Sequence, residues 1–326
     1  MKAVLHDVYG PPEVLRVEET DQPVPGEGEV LVRVHAAGVD PGVWHLTAGL
    51  PYLIRAVGFG LRAPKQRIRG LDVSGRVETV GPGVTRFRPG DEVYGIADGS
   101  FAEYACAKAD MLAHRPANLS HAQSAAVPIS GATALQALRD AGRLKPGQSV
   151  LVIGAAGGVG TFAVQIAKAL GAHVTAVCST GKADLVRSLG ADEVIDYTRT
   201  DFTDGSRRHD LVLDIAGNRS LTLLRRTLTP RGTLVIVGGE NGGRWIGGND
   251  RQLRALLFSP FLRQRLCGLM AKAQHADLDI LKGLIEAGTL IPALDRTYPL
   301  AEVPDAIAHL MASQARGKLV IQVRED

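Results

Sequence analysis

At 326 residues the chain has room for about two domains with sizeable cores. Apolar residues make up 45% and charged residues 22%, the balance of a globular enzyme, and a formal net charge of +3 is too small to favour nucleic acid or an anionic membrane. No run approaches the roughly 18 uninterrupted apolar residues of a membrane span. His6 and Asp7 stand where a signal peptide would need its apolar core. Cys106, Cys178 and Cys267 are too scattered for a disulfide framework or a zinc ribbon, which predicts a reducing, cytoplasmic setting.

The first third reads as β-structure. Residues 2–7, 14–18, 29–37, 72–80, 92–96 and 101–107 are short strand candidates, separated by turns such as Gly81-Pro82-Gly83 and Arg88-Pro89-Gly90-Asp91. Many short strands between Gly/Pro turns predict a compact, barrel-like β domain. Residues 120–141 change to helical spacing, interrupted by Pro128, and bridge to the next region.

The segment 149–180, SVLVIGAAGGVGTFAVQIAKALGAHVTAVCST, predicts one βαβ unit. Residues 150–153 are an apolar run suited to a strand buried on both faces. Residues 161–170 carry Phe162, Ala163, Ile166, Ala167 and Leu170 at helical spacing, and Gly171 ends them. Between lies a glycine turn matching G-x-G-x-x-G, with Ala155 in the first position and Gly157 and Gly160 in the others. At a helix start, free N–H groups and the dipole attract a pyrophosphate, provided the backbone can come close. Ala156, Gly157, Gly158 and Val159 are therefore the expected dinucleotide contacts.

Beyond this unit the alternation continues. A helix is predicted at 182–189, strands at 193–195 and 210–215, a helix at 219–228 and a strand at 232–237, which together describe a doubly wound parallel sheet. The glycine-rich segment 238–250, with Trp245, reads as a mobile loop near the cofactor. Helices are expected at 250–273, 276–287 and 303–313, and a last strand at 318–323.

Five stretches then carry a family likeness: P-x-P-x-x-G-E-V-L-V-R-V-x-A-x-G-V from Pro23, G-L-D-V-S-G-R-V from Gly70, R-P-G-D-E-V-Y-G from Arg88, the glycine-rich unit, and R-G-K-L-V-I from Arg316. In this order they resemble the medium-chain dehydrogenase/reductase superfamily, in its zinc-free quinone oxidoreductase branch. The resemblance implies an α/β protein with a GroES-like β-barrel catalytic domain at residues 1–122, completed by 290–326, and a Rossmann-fold dinucleotide-binding domain at 123–289. It also implies a site in the cleft between the domains, and a homodimer.

Metal chemistry is not expected. The zinc alcohol dehydrogenases of that superfamily use a Cys-His-Cys set, and the matching positions here are Asp40, Leu71 and Ile129, of which only the first has a donor atom. A metal-free site favours quinones or α,β-unsaturated carbonyls, because hydride addition leaves charge spread over a phenolate or enolate that hydrogen bonds can meet. A saturated carbonyl would become a strongly basic alkoxide and need more help. The competing readings are a zinc-independent alcohol or aldehyde dehydrogenase-reductase, and an NADPH-binding sensor with little turnover.

NADPH is the expected cofactor. The second-strand end, Val177-Cys178-Ser179-Thr180-Gly181-Lys182, lacks the acid that would hold a ribose 2′-OH and would repel a 2′-phosphate. The resemblance assigns Ser179, Lys182 and Tyr197 to the phosphate, and Thr133 to the nicotinamide; Lys182 by itself would be an ordinary helix-start lysine. Gly217, Val237 and Gly238 follow the fourth and fifth strands, where the dinucleotide should pass. Asp40 stands where quinone reductases often have asparagine, and can also cap the helix begun by Pro41. His45 and Tyr52 are candidate proton donors, with packing of His45 against Trp44 as the structural alternative. Arg55, Arg62, Lys65, Arg67 and Arg69 form either a solvated loop or an electropositive rim.

Overall fold

The computed structural model describes residues 1–239 and 243–325. The chain divides into two compact units, the first built from residues 1–132 and 273–326 and the second from residues 133–272. These boundaries differ from the expected 122/123 and 289/290. The reason lies in the flanking helices: the segments on either side of the insertion pack on the β unit, as described below.

In chain order, the first unit begins with β1 (Lys2–Leu5), β2 (Arg16–Glu19) and β3 (Glu29–Val39). Helix α1 (Pro41–Ala48) follows, then β4 (Asp72–Val80), β5 (Glu92–Ile96), β6 (Tyr104–Lys108) and β7 (Leu112–His114). Next come α2 (His121–Ala125), opened by a capping box between Ser120 and Gln123, and α3 (Pro128–Gln136). Strands β4 and β5 have the predicted bounds; β7 was not predicted.

The second unit runs β8 (Ser149–Ile153), α4 (Gly158–Ala169), β9 (His173–Cys178), α5 (Ala183–Ser188), β10 (Glu193–Asp196), β11 (His209–Asp214), α6 (Leu221–Arg226), β12 (Leu228–Ile236), α7 (Asn249–Phe258) and β13 (Arg265–Gly268). The chain then returns to the first unit through α8 (His275–Glu286), β14 (Leu294–Pro299), α9 (Val303–Met311) and β15 (Lys318–Gln322). One helix expected over 250–273 is a correction: α7 ends at Phe258 and Arg265–Gly268 is a strand pairing with β12. The short run R-L-C-G has no period of its own, and a parallel neighbour decides its state. Part of the expected mobile loop at 238–250, residues 240–242, lies outside the described residues.

The larger sheet of the first unit has the order β14-β15-β3-β4-β5-β7, with β6 also on β3. Strand β15 runs antiparallel to β3, so the last strand closes a sheet begun by the third. Val30, Val32 and Val34 alternate into one buried cluster with Val73, Val93 and Leu112, as period-two patterning requires. Helix α8 belongs here because Tyr94 donates its hydroxyl to Leu278 O at 2.6 Å and Asn118 donates to Ile285 O at 2.8 Å.

The second unit is one six-stranded parallel sheet of order β10-β9-β8-β11-β12-β13. Parallel sheets are covered on both faces, and Val150, Leu151, Val152, Leu211, Val212 and Leu213 are all 1% exposed or less. This GroES-like and Rossmann pair is the α/β architecture that the sequence predicts. The strand order reverses between β8 and β11, the switch point beyond which such sheets bind ligands.

Candidate functional site

In the second unit, β8 runs directly into the glycine turn. Gly154 takes φ +86°, and its N–H and that of Ala155 donate to Val177 O at 3.2 and 3.1 Å, tying the turn to the end of β9. Gly157 is the N-cap of α4 and, being glycine, gives the first-turn N–H groups no side-chain acceptor. A Cβ on Gly157 would meet only Gly154 O, at an ordinary 3.5 Å. A Cβ on Gly160 would lie 2.2 Å from Gly154 O and 2.7 Å from Ala155 C. The two glycines thus do different work: Gly160 lets the helix sit against its own turn, while Gly157 keeps the space before the helix open. An uncapped, open helix start fits a dinucleotide pyrophosphate.

The end of β9 gathers the phosphate-side candidates. Tyr197 N donates to Cys178 O at 3.2 Å, which brings Tyr197 beside Ser179, and residues 180–182 form a 3-10 turn ending at Lys182. The register also brings up a carboxylate that sequence reasoning missed. Asp196 pairs with Cys178 across the β10–β9 ladder. It accepts from the Thr180 hydroxyl, from Thr198 Oγ1 at 2.6 Å and from Thr198 N at 2.9 Å, and Arg199 lies 3.7 Å away. These bonds, Thr180 foremost, hold its carboxyl below the usual range. The signal was present in I-D-Y, but only the parallel pairing places that aspartate at the strand end.

Gly217 and Gly238 meet backbone to backbone. Gly217 takes φ +67°, and a Cβ there would lie 2.9 Å from the Gly238 carbonyl. Val237 N and Gly238 N donate to Asp214 O at 3.0 and 3.1 Å, so the ends of β11 and β12 converge. Asp214 is fully buried; it accepts from Gly217 N at 3.1 Å and from Arg251, and burial pushes its carboxyl up against the pull of that guanidinium. Thr133, on α3, is buried at 9% exposure.

In the first unit, Asp40 caps α1, accepting from Gly42 N at 2.7 Å with Pro41 at the first helical position. Asp40 is 5% exposed, and its other oxygen is buried with no partner among the described residues. Behind it lies Asp72, fully buried, which accepts from Ile129 N at 2.8 Å and from Lys318 Nζ at 3.0 Å. Burial pushes the Asp72 carboxyl up, Lys318 opposes this, and the nearby Asp40 adds to the rise.

His45 lies in the last turn of α1, and Tyr52 follows that helix by four residues. His45 Nδ1 faces Leu50 O at 3.1 Å, which a carbonyl can only accept, so the Nδ1–H tautomer is assigned. The ring thereby closes the helix end rather than only packing on Trp44. Tyr52 lies 5.0 Å under the Arg55 guanidinium, which also stacks 4.3 Å over Tyr9 and donates to Gly49 O at 2.8 Å. Tyr9, which donates to Phe59 O and Gly60 O, was not a sequence candidate. Three of the five basic residues of this segment have local tasks: Arg55 stacks, Arg67 pairs with Asp7 at 2.5 Å, and buried Arg69 donates to His6. That favours the loop reading over the electropositive rim, except that Arg69 is buried rather than solvated.

Among the described residues, no group of three or more His, Cys, Asp or Glu side chains could hold a metal ion, and no helix is long and apolar enough to cross a membrane.

Comparison with known proteins places this geometry. Residues 26–117 match the alcohol dehydrogenase GroES-like domain, and residues 189–321 match a family described as zinc-binding dehydrogenase. The chain is 32% identical over 363 residues to the mouse mitochondrial NAD(P)H oxidoreductase RTN4IP1, covering 99% of this chain and 89% of that protein. It superimposes on the quinone oxidoreductase from Coxiella burnetii with a TM-score of 0.87 at 31% identity, covering 99% of each chain. The Escherichia coli quinone oxidoreductase complexed with NADPH gives 0.84 at 26% identity, covering 99% of this chain and all of that one. With both domain types, the glycine turn and relatives that span nearly its full length, the chain belongs to the medium-chain dehydrogenase/reductase superfamily, in its quinone oxidoreductase branch.

Proposed function

We propose that this oxidoreductase uses NADPH to reduce quinones or other α,β-unsaturated carbonyls, without a metal. The observation that carries the reading is the uncapped start of α4, where Gly157 leaves the space before the helix open and Gly160 is committed to packing. Ala156, Gly157, Gly158 and Val159 hold the pyrophosphate through backbone N–H groups. Gly217, Val237 and Gly238 line the onward path, and Thr133 orients the nicotinamide. The cofactor, when bound, supplies the hydride.

Preference for the 2′-phosphate rests on Ser179, Lys182 and Tyr197. Asp196 is compatible with it, because Thr180, Thr198 and Arg199 already occupy that carboxylate. On the acceptor side, Leu71 and Ile129 offer no donor atoms and Asp40 spends one oxygen on Gly42 N. The chain therefore answers developing charge with hydrogen bonds, which suits a phenolate or enolate. His45 is engaged at the end of α1 and Tyr52 lies under the Arg55 guanidinium, and we assign both positioning, with no single indispensable acid.

The test follows NADPH absorbance against quinones, enones, saturated aldehydes and ketones, with and without a chelator. Turnover of the conjugated acceptors that survives the chelator is expected. Chelator-sensitive turnover, or reduction of the saturated carbonyls alone, overturns the proposal.

A further inference from the structure

The second unit contains a cavity of about 540 Å³ bounded by the loop after β11, α6 and α7. That is inside the roughly 300–1,000 Å³ range of small-molecule sites. Its wall carries Arg219, Arg225, Arg251 and Arg254, and no carboxylate among the described residues. Phe258 and Leu262 supply an apolar side.

The arginines are incompletely answered by the protein. Arg251 pairs with Asp214 and donates to Arg219 O at 2.7 Å, yet its Nε and Nη1 are buried with no partner among the described residues. Arg225 donates Nε to the neutral Gln264 at 3.0 Å. Arg254 reaches Asp250 at 3.5 Å from a side chain that is 66% exposed. Arg219 lies 5.7 Å over the Phe202 ring, where Asp201 feels its charge. Buried N–H donors without acceptors cost about 1–3 kcal/mol each, and guanidiniums around one space repel. An anion in that space relieves the repulsion among the guanidiniums that line it.

We propose that this cavity binds a phosphorylated small molecule with an apolar portion. Several guanidiniums around one volume match a tetrahedral dianion better than a single carboxylate, since each presents a planar fork of donors. Arg225, Arg251 and Arg254 take the phosphate, and Phe258 and Leu262 take the apolar part. The site is separate from the proposed dinucleotide site. Gly217 is common to both, but Gly157, Ser179, Lys182 and Tyr197 are absent from this wall. The inference does not rest on NADPH being the cofactor.

The experiment is calorimetric titration of the full chain with phenyl phosphate, first alone and then at saturating NADPH. Binding that is unchanged by NADPH, and weakened about tenfold or more by Arg225→Gln with Arg254→Gln, is the expected result. No binding, displacement by NADPH, or wild-type affinity in the variant overturns it. If the double variant does not fold, Arg254→Gln alone decides the matter, because that side chain is exposed on α7. The titration without NADPH stands whether or not the cofactor assignment does.

Discussion

Lys318 donates to Asp72 at 3.0 Å, joining two side chains 246 residues apart in sequence and both almost wholly out of water. The bond ties β15 to β4 across β3, so the interior of the first unit is completed only when the far end of the chain arrives. A buried pair adds little over a well-packed apolar pair, but removing one partner strands the other charge. Lys318→Met is therefore expected to cost about 3–5 kcal/mol, and Lys318→Met with Asp72→Leu to recover most of it. Urea unfolding of the wild type, single and double variants checks this; equal losses in single and double variants would refute it.

The two glycines of the cofactor turn should separate under mutation. Gly160→Ala puts a methyl 2.2 Å from Gly154 O, and the expected loss is about 1–3 kcal/mol of stability. Gly157→Ala meets no such clash, so its denaturation midpoint should stay near wild type. Its NADPH affinity should still fall about tenfold or more, because the methyl stands where the pyrophosphate approaches. Fluorescence titration with NADPH beside a chemical melt reads both effects.

His6 makes a pH prediction. Burial, then the adjacent Arg69, lowers its pKa from 6.5 to about 4. Between those values the unfolded chain binds a proton that the folded chain refuses. Stability contributed by neutral His6 is thus complete above pH 6.5 and is lost as pH falls toward 4. The effect is on the order of 2 kcal/mol once solvent screening is allowed for. His6→Gln keeps an acceptor for Arg69 and should flatten this part of the profile; an identical slope in both proteins would exclude His6 as its source.

The sheet of the second unit was legible because its strands are apolar runs, and β8 covers the predicted run 150–153. What stayed hidden depends on pairing. Asp196 lies 18 residues beyond Cys178, and only the parallel register makes them neighbours. Residues 265–268 have a sequence either element would accept, and β12 decides for a strand. Tyr9 gave no local sign of use, since its partners are the Arg55 guanidinium and carbonyls some 50 residues away. The positions of Gly157 and Gly160 were legible, because glycine is the residue that a close backbone approach selects.

Lys182 provides the cofactor test. Its neighbours at the end of β9 include Asp196, an ionised carboxylate whose charge is offset by Arg199 at 3.7 Å. Lys182→Ala should therefore raise KM for NADPH about tenfold while leaving KM for NADH and kcat within about twofold, since one charge-assisted bond is worth roughly 1.5–3 kcal/mol. Arg199→Ala removes the cation 3.7 Å from Asp196 and should move the preference the same way, by repulsion rather than by a lost attraction. High salt screens that repulsion, so the second variant's loss should shrink as ionic strength rises. An unaltered NADPH to NADH ratio in both variants would mean that the 2′-phosphate is held elsewhere.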